Sequence, residues 1–290
     1  MQHNLTKEPV LEKHSLTQHT LRYILLPFLN YLIPKETLIR GISKLSDAGE
    51  QAISRSGSSH AMESFYDRGK DKKNISAKAR EYISYHVLNA TKSTRNRLKI
   101  VENAIARELV EREASGLNTT IVTLGGGTCR SLIDVMDYLV ENKERPKLHI
   151  VNIDLDATAL ERAKVITDEK KHGEHFKWVR GNAVDALSFV PKQSVNIVEL
   201  IGLLEYLNKD DALNVIKTAY GLLGDGGLLV AANVRPNDER RFYERIGWPT
   251  MHYRTKEEFV DLIRSAGFNA SNIKITVEPL KMHNIALVRK

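Results

Sequence analysis

The chain has 290 residues, 42% of them hydrophobic and 27% charged, enough to bury a sizeable core as one large globular domain or one domain with an appendage. Its single cysteine excludes an intramolecular disulfide, a four-thiolate zinc site and an iron–sulfur cluster; it fits a reducing, cytoplasmic setting, and no metal site is assigned. The net charge of +7 is concentrated in residues 1–116, with 19 Lys and Arg against 13 Asp and Glu, chiefly in "DRGKDKKNISAKAR" and "KSTRNRLKI". Such a patch reads either as solvated helix faces or as a platform for nucleic acid, anionic lipid or an acidic substrate.

The N-terminus, "MQHNLTKEPVLEKHSLTQH", is polar and lacks the apolar core of a secretory signal. The apolar run "LRYILLPFLNYLIP" (21–34) contains Arg22 and Asn30 and is interrupted by Pro27, whereas a bilayer span needs roughly 20 apolar residues. It reads as a buried or dimer-forming helix pair, a hydrophobic cover over a substrate pocket, or an interfacial membrane contact. "KETLIRGISKLSDAGEQAI", "AKAREYISYHVLNA" and "RNRLKIVENAIARELVEREA" repeat apolar residues at three- and four-residue spacing and predict helices. "SRSGSSH" breaks the series, and the glycine of "ASGLN" stops it.

From Thr119 strands and helices alternate. "TTIVTL" predicts a first strand and "CRSLIDVMDYLVEN" a helix; "KLHIVNIDLD" and "ATALERAKVITDEKK" repeat the pair. "HFKWVRGNA" and "VNIVELIG" are the third and fourth strands, "DALNVIKTAYGLL" a helix, and "GGLLVAANV" the fifth strand. The helix "TKEEFVDLIRSAGF" precedes the strands "NIKITVEPL" and "NIALVRK". Alternation of this kind predicts a parallel sheet covered on both faces. The last two strands are joined by too few residues for a parallel crossover, so they must form an antiparallel hairpin.

The first strand runs into "LGGGTC", where Gly125 and Gly127 allow a sharp turn and a close backbone approach to a ligand. Asp154 ends the second strand, where a carboxylate can accept hydrogen bonds from a ribose diol; Asp156 is an alternative helix cap. Asn182 ends the third strand in "RGNAVDAL", where an amide can read an adenine edge. The fourth runs into "LIGLLEYL", whose apolar side chains can wall the adenine while Glu205 and Tyr206 face the reaction zone.

In order and spacing these positions resemble the class I S-adenosylmethionine-dependent methyltransferases. The matches are Gly125 and Gly127, Asp154, "GNA" at 181–183, "LLEYL" at 203–207, "LLGDGGLLV" at 222–230 and the reversed terminal hairpin, over about residues 117–290. The resemblance implies an α/β, Rossmann-like, seven-stranded and mostly parallel sheet (117–290), with a helical lid or substrate subdomain at 1–116. It also implies S-adenosylmethionine as cofactor, held by Tyr66, Thr123, Gly125, Gly126, Gly127, Asp154, Leu155, Asn182, Ala183 and Ile201. Tyr66 and Asp67 loosely match an N-terminal aromatic stretch that closes over the cofactor's methionine end in the family.

Thr123 stands where the family carries an acid that helps hold the cofactor's ammonium group, so Thr123 or a substitute must take that part. Cys129 replaces a third glycine, and Asn182 an aspartate. A nicotinamide enzyme fits less well, because the third glycine of its fingerprint would fall at Arg130. On the acceptor side Glu205, Tyr206 and His252 are the candidate catalytic residues, His252 as general base; Asn233, Arg235, Tyr243, Trp248 and Tyr253 are further candidates near the acceptor. Tyr85, His86, Arg95 and Arg97 are candidates for the pocket's other wall. The favoured activity is methylation of a small hydrophobic or anionic molecule on oxygen, nitrogen or carbon, by a protein that dimerises through its N-terminal helices. The alternatives are a nucleic-acid methyltransferase using the basic N-terminal face and a non-catalytic cofactor-binding scaffold. The fourth strand lacks the "(D/N)PP(Y/F)" turn of enzymes that methylate exocyclic base amines.

Overall fold

A computed structural model describes residues 5–43, Met62, Phe65, Tyr66 and 82–290. The "SRSGSSH" break, Asp67, the basic stretch 67–80 and the predicted helical residues 44–53 and 77–81 lie outside the described residues.

Seven strands form one sheet: β1 (Thr119–Leu124), β2 (Leu148–Asp154), β3 (Phe176–Arg180), β4 (Val195–Leu200), β5 (Leu223–Val234), β6 (Ile273–Val277) and β7 (His283–Arg289). Their order is β3-β2-β1-β4-β5-β7-β6. β1 pairs in parallel with β2 and β4, β2 with β3 and β4 with β5, while β7 is antiparallel to both β5 and β6. The predicted terminal hairpin is therefore present, with its return strand inserted between β5 and β6. The chain moves outward from β1 to β3 and returns to β4, so the carboxyl ends of β1 and β4 flank the switch point where ligands settle in open α/β sheets.

The helices are α1 (Leu16–Pro27), α2 (Lys35–Ser43), α3 (Asn89–Ala114), α4 (Arg130–Glu141), α5 (Ala157–Glu169), α6 (Lys209–Leu222), α7 (Arg240–Arg245) and α8 (Lys256–Ser265). Near-continuous apolar runs such as "TTIVTL" suit strands buried on both faces. On one face Val101, Ile105 and Leu109 of α3 and Leu132 and Val135 of α4 pack with Ile121, Ile150 and Ile197. On the other, Ile216 of α6 and Phe259 and Ile263 of α8 pack with Val122, Val198 and Leu229. Thus α3, although it precedes residue 117, shares a core with β1.

The start of α3 departs from the expectation of a solvated basic face. Thr91 to Arg97 are all buried, because the segment before α1 lies along the helix and answers its polar groups. Arg95 makes two 2.8 Å bonds to the Glu12 carboxylate. Lys92 donates to the Lys13 carbonyl at 3.0 Å and to Gln18 at 2.8 Å, and Asn96 exchanges hydrogen bonds with the Glu12 backbone at 2.7 and 2.9 Å. Buried Glu239 accepts from the Asn89 and Ala90 amides at 2.6 and 3.0 Å and from Arg22 Nε at 2.9 Å. A distant carboxylate thereby satisfies free N–H groups at the positive end of the α3 dipole.

Pro27 is the last residue of α1, and the chain continues through a π turn, Phe28–Leu32, rather than breaking there. Leu26 of α1 and Leu38 of α2 pack with Leu88, Phe242, Ile246 and Trp248 in a third core. Leu16, Tyr23, Ile24, Phe28, Tyr31 and Leu32 point outward and are exposed. Among the described residues no helix is long and apolar enough to cross a membrane.

Candidate active site

The turn after β1 is shaped from beneath by a row of polar side chains. Asn152, Thr123 and Glu199 are register neighbours across β2, β1 and β4. Thr123 Oγ1 donates to Asn152 Oδ1 at 2.6 Å, and Asn152 Nδ2 donates to the Gly127 carbonyl at 3.0 Å. Gly125 and Gly127 have φ of 68° and 53°, in the left-handed region that favours glycine. A Cβ at Gly126 would overlap both the Thr123 hydroxyl and the Asn152 amide oxygen, so the middle position also admits only glycine. Cys129 adopts φ 54° immediately before α4 and is buried, and burial pushes its thiol pKa up.

Asp154 holds the turn from the second strand. Its Oδ2 accepts from the Gly127 amide at 2.7 Å and its Oδ1 from the Asp156 amide at 2.8 Å. Each carboxylate oxygen keeps a further lone pair for a ligand hydroxyl. Asp156 caps α5, accepting from the Thr158 and Ala159 amides at 2.9 and 3.2 Å, which is the alternative the sequence offered for it.

These elements enclose a cavity of about 570 Å³, within the usual size range of small-molecule sites. Gly125, Gly126, Gly127, Asp154, Leu155, Asn182, Ala183, Ile201 and Tyr66 all line it. Thr123 does not: it is fully buried under the turn with its hydroxyl engaged by Asn152, so its contribution is to the loop's shape. Asn182 Oδ1 accepts from the Val184 amide at 3.3 Å.

The same cavity exposes two acids that the sheet buries. Glu199 accepts a hydrogen bond from Ser131 Oγ on the first turn of α4. Burial pushes its carboxyl up to about 7, against the Ser131 hydrogen bond and the nearby Arg97 charge. Sequence reasoning passed over Glu199, although one charge inside the apolar strand "VNIVEL" was a usable signal. Glu205 follows β4 and pairs with Arg97 at 3.4 Å; both side chains are buried. Burial holds the Glu205 carboxyl above the ordinary carboxylate range, against the pull of Arg97. Arg97 also donates to Tyr66 Oη at 3.2 Å.

Arg97, Glu205, Tyr206 and Met62 line a second, adjoining cavity of about 50 Å³ as well. Phe65, Tyr243, Trp248, Met251 and Met282 give it an aromatic and thioether wall. Phe65 stacks on Trp248 with centroids 5.9 Å apart, and Tyr243 meets Trp248 edge-on at 5.8 Å. Trp248 Nε1 donates to Tyr206 Oη at 3.2 Å. Burial, with the Glu205 charge, raises the Tyr206 pKa, so its phenol stays protonated.

His252 is not brought to either cavity. Its side chain is exposed, and its main chain does the work: its N–H donates to the Glu205 carbonyl at 2.6 Å and its carbonyl accepts from Asn233 at 3.1 Å. The histidine that lines the second cavity is His283, fully buried and joined to Ser93 Oγ at 2.6 Å through Nδ1. Burial, then Arg97, keep its pKa well below the usual imidazole value, and hence the ring neutral. Arg254, also missed, clamps the Glu205–Tyr206 loop by donating to the carbonyls of Leu204 at 2.8 Å and Leu207 at 2.7 Å.

No protein-family model and no curated protein sequence matches the chain. Solved structures do match in shape. A protein described as a possible exported protein from Bordetella parapertussis aligns with a TM-score of 0.71 at 15% identity, over 94% of this chain and 96% of its own. A proposed O-methyltransferase from Nostoc punctiforme aligns with a TM-score of 0.51 at 15% identity, over 93% of this chain and 73% of its own. A structure described as PigF with SAH aligns with a TM-score of 0.51 at 15% identity, over 87% and 72%. With the strand order, the reversed β7 and the glycine turn at the switch point, these likenesses show that the chain has the fold of the class I S-adenosylmethionine-dependent methyltransferases.

Proposed function

We propose that the protein is an S-adenosylmethionine-dependent methyltransferase acting on a small organic molecule. One observation carries this reading: a glycine-turn cavity bearing Asp154 adjoins an aromatic cavity at Arg97, Glu205 and Tyr206. The residues present fit the cofactor. The side-chain-free turn Gly125–Gly127 leaves room for adenosine, the Asp154 carboxylate suits two ribose hydroxyls, and Leu155, Ala183 and Ile201 offer apolar surface to the adenine. When bound, the cofactor presents a methyl group on a sulfonium.

Transfer of that group needs alignment and exclusion of water more than it needs acid or base. Met62 lines both cavities and Tyr66 the first, and Phe65, packed on the buried Trp248 and Tyr243, shapes the acceptor side. Glu205 is the group to take a proton from an acceptor that must lose one, since burial already favours its protonated form. Tyr206, protonated and fixed by Trp248, orients the acceptor. The apolar and sulfur-rich wall favours a hydrophobic acceptor, and Arg97 Nε, buried and without a hydrogen-bond partner among the described residues, supports an anionic substituent. Of the ten Lys and Arg in the two basic stretches that supported a nucleic-acid reading, Lys92, Arg95 and Arg97 are buried, which favours the small molecule. The exposed apolar residues of α1 and its π turn support a homodimer through the N-terminal helices, and the single cysteine a cytoplasmic setting.

Methyl-labelled S-adenosylmethionine, incubated with the protein and either a small-molecule cell extract or RNA, tests the reading. Label is expected in an extractable small molecule. Label in RNA, or in neither fraction, contradicts it.

A further inference from the structure

The cofactor proposed above carries an ammonium group on its amino-acid end, for which a carboxylate is the strongest partner the cavity can present. Among the described residues five carboxylates line the cavity: Asp154, Asp156, Glu199, Glu205 and Asp211. Four have other tasks. Asp154 holds the turn through two amides, Asp156 caps α5, Glu205 is paired with Arg97, and Asp211 is exposed and bonded to Asn208 at 2.7 Å. Among the described residues Glu199 makes no salt bridge, and the hydrogen bond it accepts comes from a neutral hydroxyl.

Its placement points the same way. Glu199 lies beside Thr123 in register, on the sheet face that carries the glycine turn, and at the switch point between β1 and β4. Thr123 is neutral, and its hydroxyl is already engaged by Asn152 beneath the turn. We propose that Glu199 is the anionic partner of the cofactor's α-ammonium group, β4 furnishing the charge that β1 lacks. This rests on the cofactor reading above and adds to it the residue that discriminates the amino-acid end.

The groups facing Glu199 are Arg97 from α3, Cys129 and Ser131 from the turn and α4, and Thr123 from β1. Among these only Arg97 is charged, and it is committed to Glu205. With its pKa pushed up to about 7, Glu199 is largely protonated below that pH before the ammonium arrives and loses the proton to meet it. Capture of an ammonium-bearing ligand therefore releases a proton near pH 6.5 and tightens by roughly tenfold between pH 6 and pH 8.

The test compares S-adenosylhomocysteine, which has the amino-acid end, with 5′-methylthioadenosine, which lacks it, by calorimetry on the full chain and on Glu199→Gln. The substitution is expected to weaken S-adenosylhomocysteine about thirtyfold and to leave 5′-methylthioadenosine within about twofold. Equal losses for both ligands mean a structural role for Glu199 and overturn the proposal, as does no loss for either. Should the variant fail to fold, the wild-type chain decides: titrations at pH 6.5 in buffers of different ionisation enthalpy must show proton release for S-adenosylhomocysteine and none for 5′-methylthioadenosine. No binding of either ligand to the wild-type chain refutes the cofactor reading itself, whereas binding without these differences refutes only Glu199.

Discussion

Asp154→Ala is expected to weaken S-adenosylhomocysteine binding by about a hundredfold or more in isothermal titration calorimetry. Two losses combine. Hydrogen bonds from ligand hydroxyls to a carboxylate are worth roughly 1.5–3 kcal/mol each, and tenfold in affinity is about 1.4 kcal/mol. The substitution also frees the Gly127 and Asp156 amides that the carboxylate holds at 2.7 and 2.8 Å, so the turn loses its tether to β2. Asp154→Asn keeps one acceptor oxygen and should recover part of the loss. An affinity within about threefold of wild type in Asp154→Ala would mean that the adenosine lies elsewhere.

Arg97→Met is expected to produce the largest loss of stability. Glu205 would remain buried without its ion-pair partner, and breaking a buried pair from one side costs about 3–5 kcal/mol. At roughly 2 °C per kcal/mol for a chain of this size, the melting temperature should fall by about 6–10 °C. The deficit has a pH signature. With Arg97 gone, burial of Glu205 is opposed only by a backbone hydrogen bond and the Arg254 charge, so its folded-state pKa moves further above the unfolded value. A raised carboxyl favours the folded state when protonated, so the deficit should shrink as the pH is lowered from 8 to 5 and grow as it rises. Arg97→Met combined with Glu205→Gln should recover most of the stability. A single variant as stable as wild type at pH 8 would show that Glu205 finds another partner.

The succession of strands and helices, the terminal hairpin and the glycine turn were legible because they rest on local signals: β-branched runs, glycines at a forced turn, and a hairpin linker too short for a crossover. Asp154 was legible because an acid at a strand's end lies at the crevice whatever surrounds it. Glu199 was not, since its significance depends on β4 lying beside β1, a pairing between residues 76 positions apart in the register Thr123↔Glu199. Arg95 and Arg97 were legible as candidates for a pocket wall, but their partners, Glu12 and Glu205, were not, because these come from far along the chain. His252 was chosen by residue type within an aromatic loop. Its backbone serves that loop, while His283, from the reversed strand, lines the second cavity.

The most direct test of the central claim is a crystal structure of the full chain grown with S-adenosylhomocysteine. The account predicts that both ribose hydroxyls lie within hydrogen-bonding distance of the Asp154 carboxylate, with the adenine against Leu155 and Ile201. An adenosine bound away from the Gly125–Gly127 turn, with Asp154 still holding only backbone amides, would contradict it.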